Sequence, residues 1–147
     1  MLNYLKFRFL SRRAVTSVKR YTPQIASLWV TQRCNLSCDY CSAGEIMIAA
    51  GAEKFESKSF GGEKGYYKGD PRSDLTLEKV QRVFENPLFA NCLLVDLQGG
   101  EPLLAKDFNR IVAFLSDRGH LINTATNGLL LARRIADLKD AGISRIS

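Results

Sequence analysis

From Thr76 onward the sequence alternates between two hydrophobic periods, and that alternation restricts the fold more than any other feature. Leu77, Val80, Val83 and Phe84 fall on one face of a helix that Thr76 is placed to cap and Asn86-Pro87 to end. Cys92 to Leu97 is a short apolar run of strand length. Asp107 then opens a second helix with Phe108, Ile111, Val112 and Leu115 inward, closed by Gly119. Leu121 to Thr126 is a strand that turns out at Asn127-Gly128. Leu130 to Ala141 is a helix with Leu131, Ile135 and Leu138 inward and Gly142 at its end, and Ile143 to Ser147 begins another strand. Upstream, Thr22-Pro23 breaks the chain, and Gln24 to Thr31 reads as the first strand, its apolar density predicting burial on both faces. Strand and helix repeated in this way predict an α/β fold: parallel βα repeats joined by right-handed crossovers.

The charge is unevenly placed. Of a net +6 over 147 residues, residues 1–38 supply seven basic side chains (Lys6, Arg8, Arg12, Arg13, Lys19, Arg20 and Arg33) and no acid. The remainder is close to neutral, so no nucleic-acid surface and no nucleic-acid partner is expected. Residues 1–20 mix this charge with Leu2, Leu5, Phe9 and Tyr4, Phe7, Leu10, Ala14, the pattern of a basic amphipathic helix. Three roles stand open for it: packing on the outside of the domain, contact with a membrane surface or a partner, and an organellar transit peptide. No apolar run approaches the ~20 residues of a membrane span.

Between the first strand and Ala43 lies Cys34-Asn35-Leu36-Ser37-Cys38-Asp39-Tyr40-Cys41, three thiols that one tight loop can turn toward a single point. A fourth cysteine, Cys92, is distant in sequence. Three crowded thiols without a secretory leader argue against disulfides and for metal in a reducing, cytoplasmic setting. Compact thiolates suit soft sites, zinc or iron–sulfur. Four cysteines close a four-iron cluster, whereas three leave one iron open to bind a small molecule.

Cys34-x-x-x-Cys38-x-x-Cys41 after a strand, with Tyr40 before the third cysteine, resembles the signature of the radical S-adenosylmethionine (SAM) enzymes. A second motif, Gln98-Gly99-Gly100-Glu101-Pro102-Leu103, follows the second strand and resembles that family's Gly-Gly-Glu-Pro element. The glycines permit a tight turn and a close backbone approach, and the proline withholds an N–H, leaving nearby carbonyls to accept from an ammonium group. Thr126-Asn127-Gly128 at the end of the third strand matches a further element, its polar groups facing SAM or substrate.

The resemblance implies that Cys34, Cys38 and Cys41 hold a [4Fe-4S] cluster. It further implies that SAM binds the open iron, with Gly99, Gly100, Glu101 and Pro102 receiving its amino end. Thr126 and Asn127 would lie nearby, and Tyr40 would lie near adenine or pack under the loop. The implied activity is reductive cleavage of SAM to a 5′-deoxyadenosyl radical that abstracts hydrogen from an unidentified substrate. The implied partner is a flavodoxin- or ferredoxin-like one-electron reductant. The implied fold is a partial (β/α)6 TIM-like barrel, with residues 1–22 as an N-terminal helical segment and 23–147 as the first half of the core, truncated at strand four.

Several residues have plainer expectations. Glu45 to Ala52 reads as a short helix, and Phe55 to Asp70, rich in Gly, Ser, Lys and Glu, as an exposed loop within a flexible insertion at about 45–74, a lid or a solvated insertion. Gly61-Gly62-Glu63 follows no strand and is a decoy of the second motif. Cys92 reads as a buried thiol, and His120 as a partner of the carbonyls ending the preceding helix. Arg33 either offsets thiolate charge or faces solvent, and Asp96 and Lys106 show no partner. The competing readings are a zinc module using His120 or Cys92 as fourth ligand, against which no second close ligand pair exists, and a truncated, non-catalytic remnant acting as a binding module.

Overall fold

A computed structural model describes residues 22–38, 40–55 and 65–147. The expectations for residues 1–20 and for Gly61-Gly62-Glu63 lie outside them. Strands β1 (Ile25–Thr31), β4 (Leu94–Gly99), β5 (Leu121–Thr124) and β6 (Arg145–Ile146) form one parallel sheet in the order β1-β4-β5-β6. Helices α1 (Gly44–Ala49), α2 (Leu77–Phe84), α3 (Phe108–Asp117) and α4 (Leu131–Asp140), an antiparallel hairpin, β2 (Glu53–Phe55) with β3 (Tyr66–Lys68), and three short 3-10 turns complete the described elements. The winding of α2, α3 and α4 between parallel strands follows the predicted repeat and is compatible with a partial TIM-like fold.

The core lies between the sheet and these three helices. Val30, Val95, Leu97 and Ile122 meet Val80, Phe108, Ile111, Val112, Leu115 and Leu138, all fully buried. Burial on both faces, expected of β1, does not occur: Ala26 and Val30 are buried, whereas Ile25 is 53% exposed and Ser27 is exposed. Among the described residues the three crossover helices cover a single face, so the strands alternate. On the other face Asp96, expected to lack a partner, accepts from Asn123 Nδ2 at 2.7 Å and from Gln98 Nε2.

The predicted inward face of α3 holds at all four positions. That of α4 does not, because Ile135 is 48% exposed. Arg134 donates to Leu103 O (3.1 Å) and Asn109 Oδ1 (2.9 Å), which turns the stripe of Leu131, Arg134 and Leu138 inward. At about 100° per residue, Ile135 then faces out. In α2, Leu77, Val80 and Phe84 pack inward, and Val83 is displaced to the flank, 37% exposed.

Two ends differ from their expectations in instructive ways. Helix α1 stops before Gly51, whose φ of +90° lets Ala52 N return to Met47 O at 2.9 Å, a glycine-closed terminus. Asp107 holds the N-cap position of α3, as expected, but without a side-chain bond there; its Oδ2 accepts from Leu77 N at 3.1 Å and so adds to the Thr76 cap of α2, whose Oγ1 accepts from Lys79 N at 3.4 Å. The Leu77 N–H foremost, helped by Arg110, holds the Asp107 carboxyl below the usual carboxylate range.

The stretch expected as an exposed loop, Phe55 to Asp70, begins in β2 and contains the whole of β3. Phe55 and Tyr66 stack across the hairpin at 5.0 Å, and Tyr67 is buried. Aromatic residues favour this half-buried, pleated setting. The hairpin and α1 enclose a second, smaller core of Met47, Ala52 and Tyr67, with Trp29, Cys34 and Cys41 against it.

Candidate cluster and cofactor site

The cysteine loop leaves the C-terminal end of β1, and its root is held by long-range polar contacts. Thr31 Oγ1 donates to Asp74 Oδ1 at 2.6 Å, and Arg33 pairs with the same buried carboxylate while its Nη2 donates to Leu104 O at 2.6 Å. Arg33 is therefore only partly exposed and is spent on Asp74 and Leu104 O. It ties the loop to the segment before α2 and to the turn after the second motif. Cys34 is further fixed by a two-way bridge to the hairpin, Cys34 N to Tyr67 O (3.0 Å) and Tyr67 N to Cys34 O (2.9 Å).

Cys38 O accepts from Cys41 N at 3.1 Å, and Cys41 O from Gly44 N at 3.1 Å, so two successive turns lead from the second thiol through the third into α1. All three cysteines are free and half-buried. Burial chiefly, with the charges of Glu101, Cys41 and Cys38 behind it, pushes the Cys34 thiol above the ordinary range, offset in part by a Leu36 backbone hydrogen bond. Among the described residues no three His, Cys, Asp or Glu side chains are already gathered within metal-binding reach. The thiols form an open set. In kind and number they fit the three-thiolate site that leaves one iron open.

The glycine turn is laced directly onto this loop. Gly100 N donates to Thr31 O (3.0 Å) and Glu101 N to Arg33 O (2.8 Å), backbone against backbone, one residue from the first thiol. A Cβ at Gly100 would stand 2.4 Å from Arg33 O and 2.7 Å from Met47 Sδ, so only glycine allows the approach. Pro102 starts a short 3-10 turn, Pro102–Leu104. The carbonyls of Glu101 and Pro102 accept from Leu104 N and Ala105 N, so the turn's own closure uses them.

Glu101 is fully buried. Its carboxylate accepts from Leu103 N (3.0 Å), from Thr126 Oγ1 (2.8 and 2.9 Å to its two oxygens) and from Asn127 N (2.9 Å). The side chain thus joins the second motif to Thr126-Asn127, bringing all three predicted motifs to one end of the sheet. Asn127 completes the ring, donating to Asn35 Oδ1 at 2.7 Å and toward Cys34 Sγ at 3.9 Å. Tyr40 does not pack under the loop; it is 91% exposed.

An open cleft of about 330 Å3 lies beside Cys34, lined by Arg33, Asn35, Tyr66, Tyr67, Lys68 and Leu104 as well. Asp74, Tyr67 and Asn35 are the site residues that sequence reading missed. The first two reach the loop over more than thirty residues of separation with no local signal; Asn35 sat inside the motif, unremarked.

His120 and Cys92 belong elsewhere. Both lie at the N-terminal end of the sheet, opposite the loop; the His120 backbone N–H donates to the helix-ending carbonyl of Leu115 at 3.2 Å, as expected, while its ring Nδ1 meets Cys92 O at 2.7 Å. Phe84 lies edge-on to the imidazole, and burial raises the Cys92 thiol above its ordinary range. Neither residue can complete a metal site with Cys34, Cys38 and Cys41.

The family model described as "Radical SAM superfamily" matches residues 29–147, from within β1 to the chain end. The chain belongs to the radical SAM superfamily. This is an enzyme superfamily whose members use a [4Fe-4S] cluster and SAM. Among curated relatives, the GTP 3′,8-cyclase of Acidothermus cellulolyticus is 38% identical over 80% of this chain and 29% of its own length. That of Staphylococcus carnosus is 32% identical over 82% and 32%, and the probable GTP 3′,8-cyclase of Methanocella arvoryzae 30% identical over 88% and 36%. The chain therefore spans about a third of the length of these relatives. No helix among the described residues is long and apolar enough to cross a membrane.

Proposed function

We propose that this chain is the cofactor-binding part of a radical SAM enzyme, residues 23–147 forming the first half of a partial (β/α)6 barrel. Cys34, Cys38 and Cys41 are the cluster ligands, and Gly99, Gly100, Glu101 and Pro102 shape the seat for the amino end of SAM, with Tyr40 on the open side toward adenine. When bound, cluster and SAM supply a 5′-deoxyadenosyl radical that takes hydrogen from a substrate. The chain's own residues do the holding. The β1 root, pinned by Asp74, carries the loop; the Gly100 and Glu101 amides fix it against the glycine turn; and Glu101 fixes the Thr126-Asn127 corner beside it. The observation that carries this reading is the pair of bonds from Gly100 N to Thr31 O and from Glu101 N to Arg33 O, which fasten two motifs more than sixty residues apart. The names of the relatives make GTP the first substrate to try. A flavodoxin- or ferredoxin-like protein is the proposed electron donor, and a reducing cytoplasm suits the free thiols.

The test is anaerobic reconstitution of the chain, with iron and sulfide analysis and electron paramagnetic resonance (EPR) before and after SAM. The expected result is a four-iron centre whose spectrum changes with SAM, and its loss in Cys34→Ser, Cys38→Ser and Cys41→Ser. Tightly bound zinc without colour, or a centre indifferent to SAM, would instead make the chain a binding remnant.

A further inference from the structure

The side chain of Asn127 is oriented more completely than a turn residue requires. Its Oδ1 accepts from Leu129 N at 3.1 Å, and its backbone N–H is held by Glu101 Oε2 at 2.9 Å. With the carbonyl end taken by an N–H, the amide cannot flip, so the end facing the cysteine loop is the NH2 group. That group carries two hydrogens. One goes to Asn35 Oδ1 at 2.7 Å, and the nitrogen stands 3.9 Å from Cys34 Sγ, leaving the second for the sulfur. The anchor of this arrangement, Glu101, is fully buried, so the donor is set before any ligand arrives.

A hydrogen-bond donor aimed at a cluster sulfur stabilises the more negative, reduced state and so raises the reduction potential. Resting on the proposed cluster site, we propose that Asn127 is a positioning residue for the cluster itself: its amide donates to Cys34 Sγ and eases one-electron reduction. Glu101 and Leu129 aim the donor, and Asn35 shares it. The residue's main partner is then the first thiolate rather than SAM.

The experiment is an EPR-monitored redox titration of the anaerobically reconstituted chain without SAM, comparing wild type with Asn127→Ala and Asn127→Ser. Serine can keep the short-range turn bond to the Leu129 N–H, as Asx and Ser turns do, but cannot reach the sulfur. Both variants are expected to keep the iron and sulfide content of wild type and to be harder to reduce by roughly tenfold, about 59 mV more negative for one electron. Asn127→Asp, which turns an acceptor toward the thiolate, is expected to move further in the same direction. Full cluster content with unchanged potentials in all three variants overturns the inference. A variant that loses iron while its remaining centre keeps the wild-type potential also overturns it, because Asn127 would then serve the fold alone. A wild-type chain that assembles no four-iron centre removes the site reading beneath it, and the inference with it.

Discussion

Glu101 shows what a single buried carboxylate can organise. Among the described residues no cation pairs with it; two backbone N–H groups and a hydroxyl satisfy it, and those donors come from two motifs. Replacing it by alanine strands the Leu103 and Asn127 N–H groups and leaves a void under the glycine turn. Glu101→Ala is expected to lower stability by about 3 kcal/mol, read as a lower urea midpoint with an unchanged slope. An unchanged midpoint would mean that water replaces the carboxylate without loss. The sequence flagged Glu101 by its place in a motif, yet nothing local showed that its oxygens would be spent on Thr126 and Asn127. That assignment depends on strands β4 and β5 lying side by side.

At the scale of elements, the site is made by junctions between segments distant in sequence. The closest is the crossing of the cysteine loop over the glycine turn, where Gly100 meets the Arg33 backbone as well as the Met47 side chain. Gly100→Ala is expected to push the loop from the turn, detected as faster hydrogen exchange at the Glu101 amide and reduced iron uptake. Slow exchange and full iron uptake would show that the loop adapts at little cost.

The α2–α3 junction has a pH signature. The folded-state pKa of Asp107 lies below its unfolded value near ~3.9, so its bond to Leu77 contributes stability that is present above about pH 4. That contribution is lost as pH falls through the folded value. Wild type and Asp107→Asn should therefore differ in urea stability at pH 7 and converge as acid protonates the folded carboxyl; a constant difference would contradict the assignment. Sequence pattern correctly placed Asp107 at a helix start. It could not show where the side chain would bond, since a neighbouring N-terminus competes for the same carboxylate.

Across the whole molecule there are two cores of unequal depth. The larger joins the sheet to α2, α3 and α4, and the smaller holds Met47, Ala52 and Tyr67 beneath the cysteine loop. Fewer buried apolar contacts mean cheaper local opening. Native-state hydrogen exchange under mild denaturant is expected to release α1 and the β2–β3 hairpin well before β4, β5 and α3. Simultaneous release would show one cooperative unit. The loop that must gather three thiols thus rests on the softer core, while the glycine turn and Glu101 rest on the firmer one.

The repeating βα order, the face of α3 and all but Val83 of that of α2, the three thiols and the two glycines followed from the chain itself, because period, spacing and residue chemistry are local properties. Only the folded chain decided the single-sided cover of the strands, the outward turn of Ile135, the hairpin made from an apparent loop, and the assignments of Arg33, Asp74 and Asn127. Each of those depends on which distant surface arrives to bury a side chain or take its hydrogen bond, and a sequence does not carry its neighbours' positions.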